Sequence, residues 1–525
     1  MPASIPYVLV LMTGFFMTDF CLRNFSGREV LSPAEMDKLD SAAVADGLSI
    51  EGLMERAGFK ATQAIMNRFD KQRVLVLCGS GHNGGDGLVV ARLLKAEGWP
   101  VKVCVITKVD NIKPAVRLNL ERWEQGGGQI DLVSDSLLAW AGLLVDAIFG
   151  SGLNKPLPRS IREVLENPII RQTKIVAIDL PTGLDPYTGQ QLSDKEPYLL
   201  KYILTVTFVR PKFGHILQPG RSICGETLVA NIGISSELIK NHLSCRNFIN
   251  GPALWTLPQP GMSDHKYSRG TTIMFGGKGM TGAVCLASQA ARRIGSGMLY
   301  IVAHRDTKPF YVSDAPGNIF LPADTFDIEK SFNLKYRVAG LIGPGYGVGA
   351  KVRRQVKVLL KHSRHVVLDA DAITSFEDCA SDLFSYIKYS DSSVVMTPHE
   401  GEFQRLFGPR VSSTNKCEKA KIAAKISGAI IVLKGNDTII ANPDGSAVIS
   451  INAVAGLATA GSGDVLAGLI VGLMAQGMSG WEAACAGVWL HGEAGALCSH
   501  PFIAEDLINN ISHAVQKVLV DLAKI

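Results

Sequence analysis

The sequence lacks the features that mark several broad classes of protein. None of its 10 cysteines forms a CxxC pair. That argues against a zinc site or a disulfide framework and fits a reducing, cytoplasmic compartment. There is no long Lys/Arg run: 53 Lys+Arg against 48 Asp+Glu leave +5, with both signs mixed along the chain. Such a balance is too mild for a nucleic-acid scaffold, so no nucleic-acid partner is expected. No apolar stretch reaches the roughly 20 residues a spanning helix needs, so no membrane partner is expected either. The apolar run 7–17 has no Lys or Arg before it and no A-x-A site after it. It reads as an upstream start with Met17 as initiator, leaving residues 1–25 as an N-terminal extension. Short-period and collagen-like repeats are absent. Hydrophobic residues make up 47% and charged residues 19%, which excludes bulk disorder. Glycine is abundant, 53 of 525 residues, which points to tight turns and close backbone approaches to ligands.

The length fits about two to four domains. Segments of strand and helix character alternate throughout. Residues 73–78 read as a buried strand, 86–97 as a helix with Leu88, Val89, Leu93 and Leu94 on one face, and 101–106 as the next strand. Further core strands are expected at 143–148 and 174–180. The alternation weakens from about 231 to 260, placing a domain boundary near 235–250. It resumes with strands expected at 271–276, 298–303, 338–343, 365–369, 393–397 and 430–434. Two α/β domains, each an open sheet with ligands at the carboxyl ends of its strands, is the simplest account.

In the first half, Gly79-Ser80-Gly81-His82-Asn83-Gly84-Gly85-Asp86 follows a strand and opens a helix. Backbone N–H groups at such a turn form an anion site. Gly79, Gly81 and Gly84 satisfy G-x-G-x-x-G, so a dinucleotide-binding oxidoreductase is one hypothesis. The continuation departs from it, because an acid at the helix start would repel a pyrophosphate. Asp86 alone reads as a helix N-terminal acid. Asp146 and Asp179 end two further strands, each before a turn. Singly they read as turn or cap residues. Three acids at the carboxyl ends of parallel strands converge on one crevice, where Asn, Asp and Thr oxygens could bind a hard cation.

Taken together, HNGGDG, VDAIFGSGL and AIDLPTGLD resemble the N-terminal domain of bifunctional NAD(P)H-hydrate repair enzymes, over roughly residues 26–235. The resemblance implies a Rossmann-like NAD(P)H-hydrate epimerase domain at 26–240, interconverting the R and S forms of nicotinamide nucleotides hydrated on the reduced ring. It implies that His82, Asn83, Gly84, Gly85 and Asp86, with Gly150, Ser151, Gly152, Leu153, Asn154, Lys155 and Pro156, hold the hydrated NADH or NADPH. Asp179 would contact the nicotinamide end and is the acid/base candidate. Asn83, Asp146 and Thr182 would bind potassium. His82 stands where many relatives have Asn, so it is a backbone role that carries over.

In the second half, Gly276-Gly277-Lys278-Gly279-Met280-Thr281-Gly282-Ala283 is Gly-rich but is not a Walker A loop. Gly343-Pro344-Gly345-Tyr346-Gly347 is a strand end that only backbone approaches closely. His399 follows a strand and a Pro-fixed turn, which supports a site residue over a structural one. Gly461-Ser462-Gly463-Asp464 precedes a strongly apolar helix at 465–474. The two glycines let backbone N–H groups face an anion, and Asp464 beside it can take the proton of a hydroxyl attacking a phosphoryl group. An N-cap is the plain alternative, and the G-x-G-D spacing favours catalysis.

The G-x-G-D element resembles the ribokinase-like fold. With GGKGMTGA, IGPGYG, LDADAIT, TPHEGEF and LKGNDT it narrows to the ADP-dependent NAD(P)H-hydrate dehydratases, over roughly residues 250–525. The resemblance implies that a nucleotide phosphoryl group helps eliminate water from the S hydrate, regenerating NAD(P)H. Asp464 would deprotonate the ring hydroxyl, and Ala283, Gly345, His399 and Asp464 would contact the hydrate. Lys434, Gly435, Asn436, Asp437 and Thr438, with Gly461, Ser462 and Gly463, would hold ADP, and magnesium would neutralise its phosphates. Asp369 and Asp371 read as supporting residues, and a surface lysine is the plain alternative for Lys434. A homo-oligomer is the expected assembly. The competing readings are a small-molecule kinase with a regulatory nucleotide-binding domain, a first half that only binds, and a dehydrogenase, for which no separate catalytic constellation is present.

Overall fold

The computed structural model describes residues 20–21, 28–106, 112–193, 200–327 and 337–522. The expectations for residues 1–17 lie outside them. The described chain divides into two compact units, 1–245 and 246–525. Each is an α/β structure around a mostly parallel sheet, the class expected from the alternation.

In the first unit the parallel strands stand in the order Glu226–Ala230, Leu204–Phe208, Lys174–Ile178, Leu143–Ala147, Val74–Cys78, Val101–Val105, Ile130–Asp131. The two-residue strand Phe20–Cys21 adds antiparallel to Glu226–Ala230. Strands Val74–Cys78 and Leu143–Ala147 are buried at every position, because helices cover both faces. Side chains alternate between the two cores. Val74, Val76 and Cys78 pack with Met36, Leu39 and Met54 on one face, while Leu75 and Leu77 pack with Leu137, Ile161 and Ile170 on the other. Sequence order reverses between Leu143–Ala147 and Val74–Cys78, which are hydrogen-bonded neighbours. Their carboxyl ends therefore open a crevice, the place where such sheets bind ligands.

The second unit's sheet runs Ile319–Pro322, Met298–Ala303, Thr271–Phe275, Val338–Ile342, His365–Leu368, Ser393–Met396, Ile430–Leu433, all parallel. It is extended by the antiparallel pair Ile439–Ala441 and Ala447–Ile449, and by Asn247–Ile249. Its order reverses between Thr271–Phe275 and Val338–Ile342. The expected core strands are present, each ending within about two residues of its expected limits.

The two helices that follow the glycine loops begin earlier than the apolar pattern suggests. The first spans His82–Ala96 rather than 86–97, so Asp86 lies in its second turn and is no cap. The second spans Ser462–Ala475 rather than 465–474, so Asp464 lies in its first turn and Gly461 is the N-cap. In this second helix every residue except Gly463 and Asp464 is buried. A helix apolar all round is a core helix. Leu466 and Ile470 pack toward the sheet, while Val465 and Leu469 pack on Leu507 and Ile511. Each such side chain contributes roughly 1.5–3 kcal/mol of burial.

Gly468 lets that helix lie against Thr281–Arg293: a Cβ there would sit 2.2 Å from the carbonyl oxygen of Ala287. Gly468→Ala is expected to destabilise the second unit by about 1–3 kcal/mol. The measurement is a lowered urea midpoint for that unit, with the first unit's transition unmoved.

Candidate active sites

The first crevice is a cavity of about 840 Å³ lined by His82, Asn83 and Asp86, by Gly150 to Leu153, by Asp179 and Lys212, and by Asp37 and Asp40. Its floor is the carboxyl ends of three strands. Asp179 follows the strand Lys174–Ile178 with φ 63°, a left-handed conformation held here by its surroundings. Its N–H donates to Val206 O at 2.8 Å, and Nε2 of His215 donates to its carbonyl at 2.6 Å. Oδ1 of Asp179 accepts from Lys212 Nζ at 2.9 Å and Thr207 Oγ1 at 3.0 Å, and Oδ2 accepts the Ser151 N–H at 2.8 Å. Burial alone would raise this carboxyl, but the Lys212 charge and these bonds outweigh it and hold Asp179 well below the usual carboxylate range. His215 is driven down to about 4 by burial and by Lys212, so it is neutral at pH 7. Its Nδ1 accepts the Lys212 N–H at 3.0 Å, fixing the turn that carries Lys212. Val209, also lining the cavity, has φ 66°, strained for a β-branched residue.

The other carboxyls here behave in the opposite way. Asp86 is pushed well above its ordinary value by burial and by the charges of Asp179 and Asp40. Asp40 is raised by burial, against the pull of Lys212.

Asp146 is fully buried and accepts four hydrogen bonds: from Thr182 Oγ1 and Ile148 N at one oxygen, and from Tyr202 OH and Thr182 N at the other. Thr182 Oγ1 also accepts the Phe149 N–H at 3.0 Å. These oxygens hold two strand ends together. Asn83 differs, since both polar atoms of its side chain are buried without a partner. A Cβ on Gly150 would lie 2.6 Å from Asp179 Oδ2 and 3.3 Å from Asn83 Cγ, so Asn83 and Asp179 converge across the bare Gly150 backbone. Gly84 and Gly85 turn away, Gly84 against the carbonyl of Gly79 and Gly85 against Met54. Asn154, Lys155 and Pro156 are exposed and line no part of this cavity.

In the second unit the two glycine loops at the strand-order reversal press together: a Cβ on Gly277 would lie 1.8 Å from Gly345 O. Met280, three residues before Ala283, meets Gly345 in the same way. A second cavity, about 340 Å³, is lined by Lys434, Gly435, Asn436, Thr438, Ser462 and Gly463, with Asn452, Thr459 and His491. Asp437, Gly461 and Asp464 are not part of its lining. Asp437 is buried in an ion pair with Lys416, and Gly461 takes the left-handed N-cap conformation, φ 85°. Lys434 Nζ donates to Asp369 Oδ1 at 3.0 Å, so Lys434 is no surface lysine. Asp464 is raised to about 6 by burial and by Asp369, with Lys434 opposing and Asp371 adding. Asp371 itself accepts the Gly347 N–H at 2.7 Å. His399 caps the helix Glu400–Phe407, its Nδ1 accepting the Gly401 N–H at 3.0 Å. Ala283, Gly345 and His399 line neither cavity. No cluster of three His, Cys, Asp or Glu side chains among the described residues could hold a metal ion.

The comparisons with known proteins agree with this division. A family model described as NAD(P)H-hydrate dehydratase matches residues 271–517, and one described as YjeF-related protein N-terminus matches 50–214. A bifunctional NAD(P)H-hydrate repair enzyme Nnr of Moorella thermoacetica is 35% identical, over 89% of this chain and 92% of its own. The chain belongs to the bifunctional NAD(P)H-hydrate repair enzymes. The Nnr of Escherichia coli is 30% identical over 90% of this chain and 91% of its own. Among solved structures, an ADP/ATP-dependent NAD(P)H-hydrate dehydratase from Bacillus subtilis, co-crystallised with ATP/Mg2+, is 29% identical. It covers 50% of this chain and 95% of that one, with a TM-score of 0.43.

Sequence reasoning missed Lys212, Thr207, His215 and Asp40, which carry no motif of their own. For Asp40 the sequence held one indirect signal, the capping box of Ser32 and Glu35 that starts its helix Pro33–Ala45.

Lys212→Met would leave Asp179 charged and buried without its cation. It is expected to cost about 3–5 kcal/mol at pH 7. Asp179 has its lowered value in the native fold, so the stabilisation is full above the unfolded carboxylate range of about 4 and fades as pH falls below it. The Lys212→Met penalty, read by denaturant titration, therefore shrinks toward acid pH. A penalty independent of pH would contradict this account.

Proposed function

We propose that the first unit interconverts the R and S hydrates of NADH and NADPH, and that the second uses ADP to dehydrate the S form. The observation that carries this reading is the placement of Asp464. With Gly463, which lines the second cavity, it is one of two half-buried residues of an otherwise buried helix, and the Lys434 and Asp369 charges act on it. The helix N-terminus and the Gly463 backbone favour phosphate there. Lys434 supplies a fixed positive charge. A hydroxyl is a poor leaving group, and accepting the nucleotide's terminal phosphoryl group makes it a good one. Asp464 takes the hydroxyl proton, and its value of about 6 leaves it ionised at pH 7.5 yet basic enough for the task.

Magnesium, when bound with the phosphates, supplies charge neutralisation. For potassium in the first unit, the unpartnered buried amide of Asn83 fits an oxygen donor. Asp146 and Thr182 would join it only by giving up bonds they make to each other. Such an ion would supply a positive charge at the crevice floor. The family's metabolite-repair role and the compartment expected from the cysteines together support a cytoplasmic enzyme. The described residues include no helix long and apolar enough to cross a membrane.

The test is to give the protein mixed R and S NADH hydrate and follow the return of reduced-nicotinamide absorbance with ADP, ATP or no nucleotide. Full recovery with ADP is expected. Asp179→Ala should leave the S fraction fast and the rest limited by spontaneous epimerisation, and Asp464→Asn should abolish dehydration. Accumulation of a phosphorylated product would instead favour the kinase reading.

Asp464 also links function to stability. Its native value lies above the unfolded one, so its ionisation costs stability progressively from about pH 4 to 6 and fully above. Asp464→Asn is therefore expected to be more stable by about 1–2 kcal/mol at pH 7.5 and little changed at pH 4, read from melting or urea curves.

A further inference from the structure

A buried carboxyl with no partner lies inside the first cavity. Asp86 is 9% exposed and lines that cavity, yet no described residue hydrogen-bonds or ion-pairs with its carboxyl group. Asp146, buried more deeply, shows what this unit does with a carboxylate it means to pair: four donors surround it. The cation nearest in kind, Lys212, is committed to Asp179. A charge on Asp86 would face two other carboxylates, Asp179 and Asp40, and burial adds to their effect, so the protonated form is favoured. Asp40 lines the same cavity and its carboxyl is raised as well, but unlike Asp86 the residue as a whole is largely open to solvent. One cavity thus holds a buried acid pushed toward its protonated form and a buried carboxylate held ionised. Pairs of carboxyl groups pushed apart in this way mark an acid and a base.

The chemistry of the hydrate asks for both. Hydrating the enamine double bond of a dihydropyridine puts the hydroxyl on the carbon bonded to nitrogen. The two epimers differ at that carbon. Inversion there needs the carbon–oxygen bond to break on one face and to form on the other.

We propose that Asp86 is the proton donor of this inversion and Asp179 the acceptor. The proposal rests on the epimerase reading of the first unit. The ring nitrogen's lone pair forms a carbon–nitrogen double bond while the carbon–oxygen electron pair leaves on oxygen. The Asp86 proton goes to that oxygen, so the leaving group is water and the ring is an iminium cation. A water on the opposite face then adds to the carbon and gives its proton to Oδ2 of Asp179, the oxygen that Lys212 and Thr207 do not occupy. Solvent in the cavity returns the proton from Asp179 to Asp86. No oxidant is needed, and one water is exchanged per inversion.

The experiment uses the full chain carrying Asp464→Asn, which silences dehydration, with purified R or S NADH hydrate in ¹⁸O-labelled water. Epimers are separated by chromatography and weighed by mass spectrometry. One solvent oxygen per inversion is expected. Adding Asp86→Asn should slow inversion about 100- to 1,000-fold, with hydrate binding within about threefold. Asp86→Glu, which restores an acid, should recover at least about tenfold over Asn. Melting curves establish that each variant folds, and if the Asn variant does not, the Glu variant against the parent decides. Inversion without label, a folded Asn variant within about tenfold of the parent, a folded Glu variant no better than a folded Asn variant, or, where Asn does not fold, a folded Glu variant more than about 100-fold slower than the parent would overturn the proposal. If the parent itself inverts no faster than the uncatalysed hydrate, the epimerase reading has failed instead.

Discussion

A charged carboxylate inside a protein needs a cation, and the first site is arranged around the one that Lys212 supplies to Asp179. The pair joins the ends of two adjacent strands. Asp179 ends Lys174–Ile178, and Lys212 lies just past Leu204–Phe208. His215 closes the arrangement by holding the carbonyl of Asp179 and the N–H of Lys212 at once. Removing any one of the three frees the others, so the cavity floor behaves as a unit. The same pair sets the charge seen by everything above it. With its cation committed, Lys212 cannot neutralise Asp86, and the ionised Asp179 pushes Asp86 and Asp40 upward.

The second unit uses the same kinds of residue to the opposite end. Lys434 pairs with Asp369, not with Asp464. Asp464 is left with a helix N-terminus on one side and a carboxylate on the other, and settles at about 6. In the first unit the lysine makes the strand-end carboxylate a weak base held ready in charged form. In the second the ammonium pairs with Asp369 and leaves Asp464, the proposed proton acceptor, raised. Which carboxylate receives the ammonium decides what each can do.

The strands were legible because parallel strands covered on both faces are continuous apolar runs bounded by glycine or aspartate. The acids and glycines at their carboxyl ends pointed to a crevice, while the order of the strands came only from the structure. The two functional helix starts were not legible. Gly81 and Gly461 cap them with no side-chain hydrogen bond, so the usual Ser/Thr/Asp signal is missing and the apolar pattern begins one turn late. The shift matters, since it moved Asp86 from a helix-cap position to a buried place in the second turn. Lys212, Thr207 and His215 were illegible for another reason. Each acts through Asp179, about 30 residues away in sequence, and no local spacing records such a contact.

Spacing along the second sheet explains how Lys434 lines the second cavity and still reaches Asp369. The glycine loops of the strand-order reversal follow Thr271–Phe275 and Val338–Ile342. Asp369 follows the next strand, and Lys434 the strand two further on. Neighbouring strands lie about 4.8 Å apart, so Lys434 starts roughly 10 Å from the strand of Asp369. Its extended side chain covers most of that distance to end 3.0 Å from the carboxylate. The ammonium therefore sits between the cavity lined by its own loop and the glycine loops beyond Asp369. In the proposed reaction a phosphoryl group would meet this charge, with the Gly463 backbone and Asp464 nearby. Shortening that side chain would leave the buried Asp369 carboxylate without its cation and that place without a positive charge.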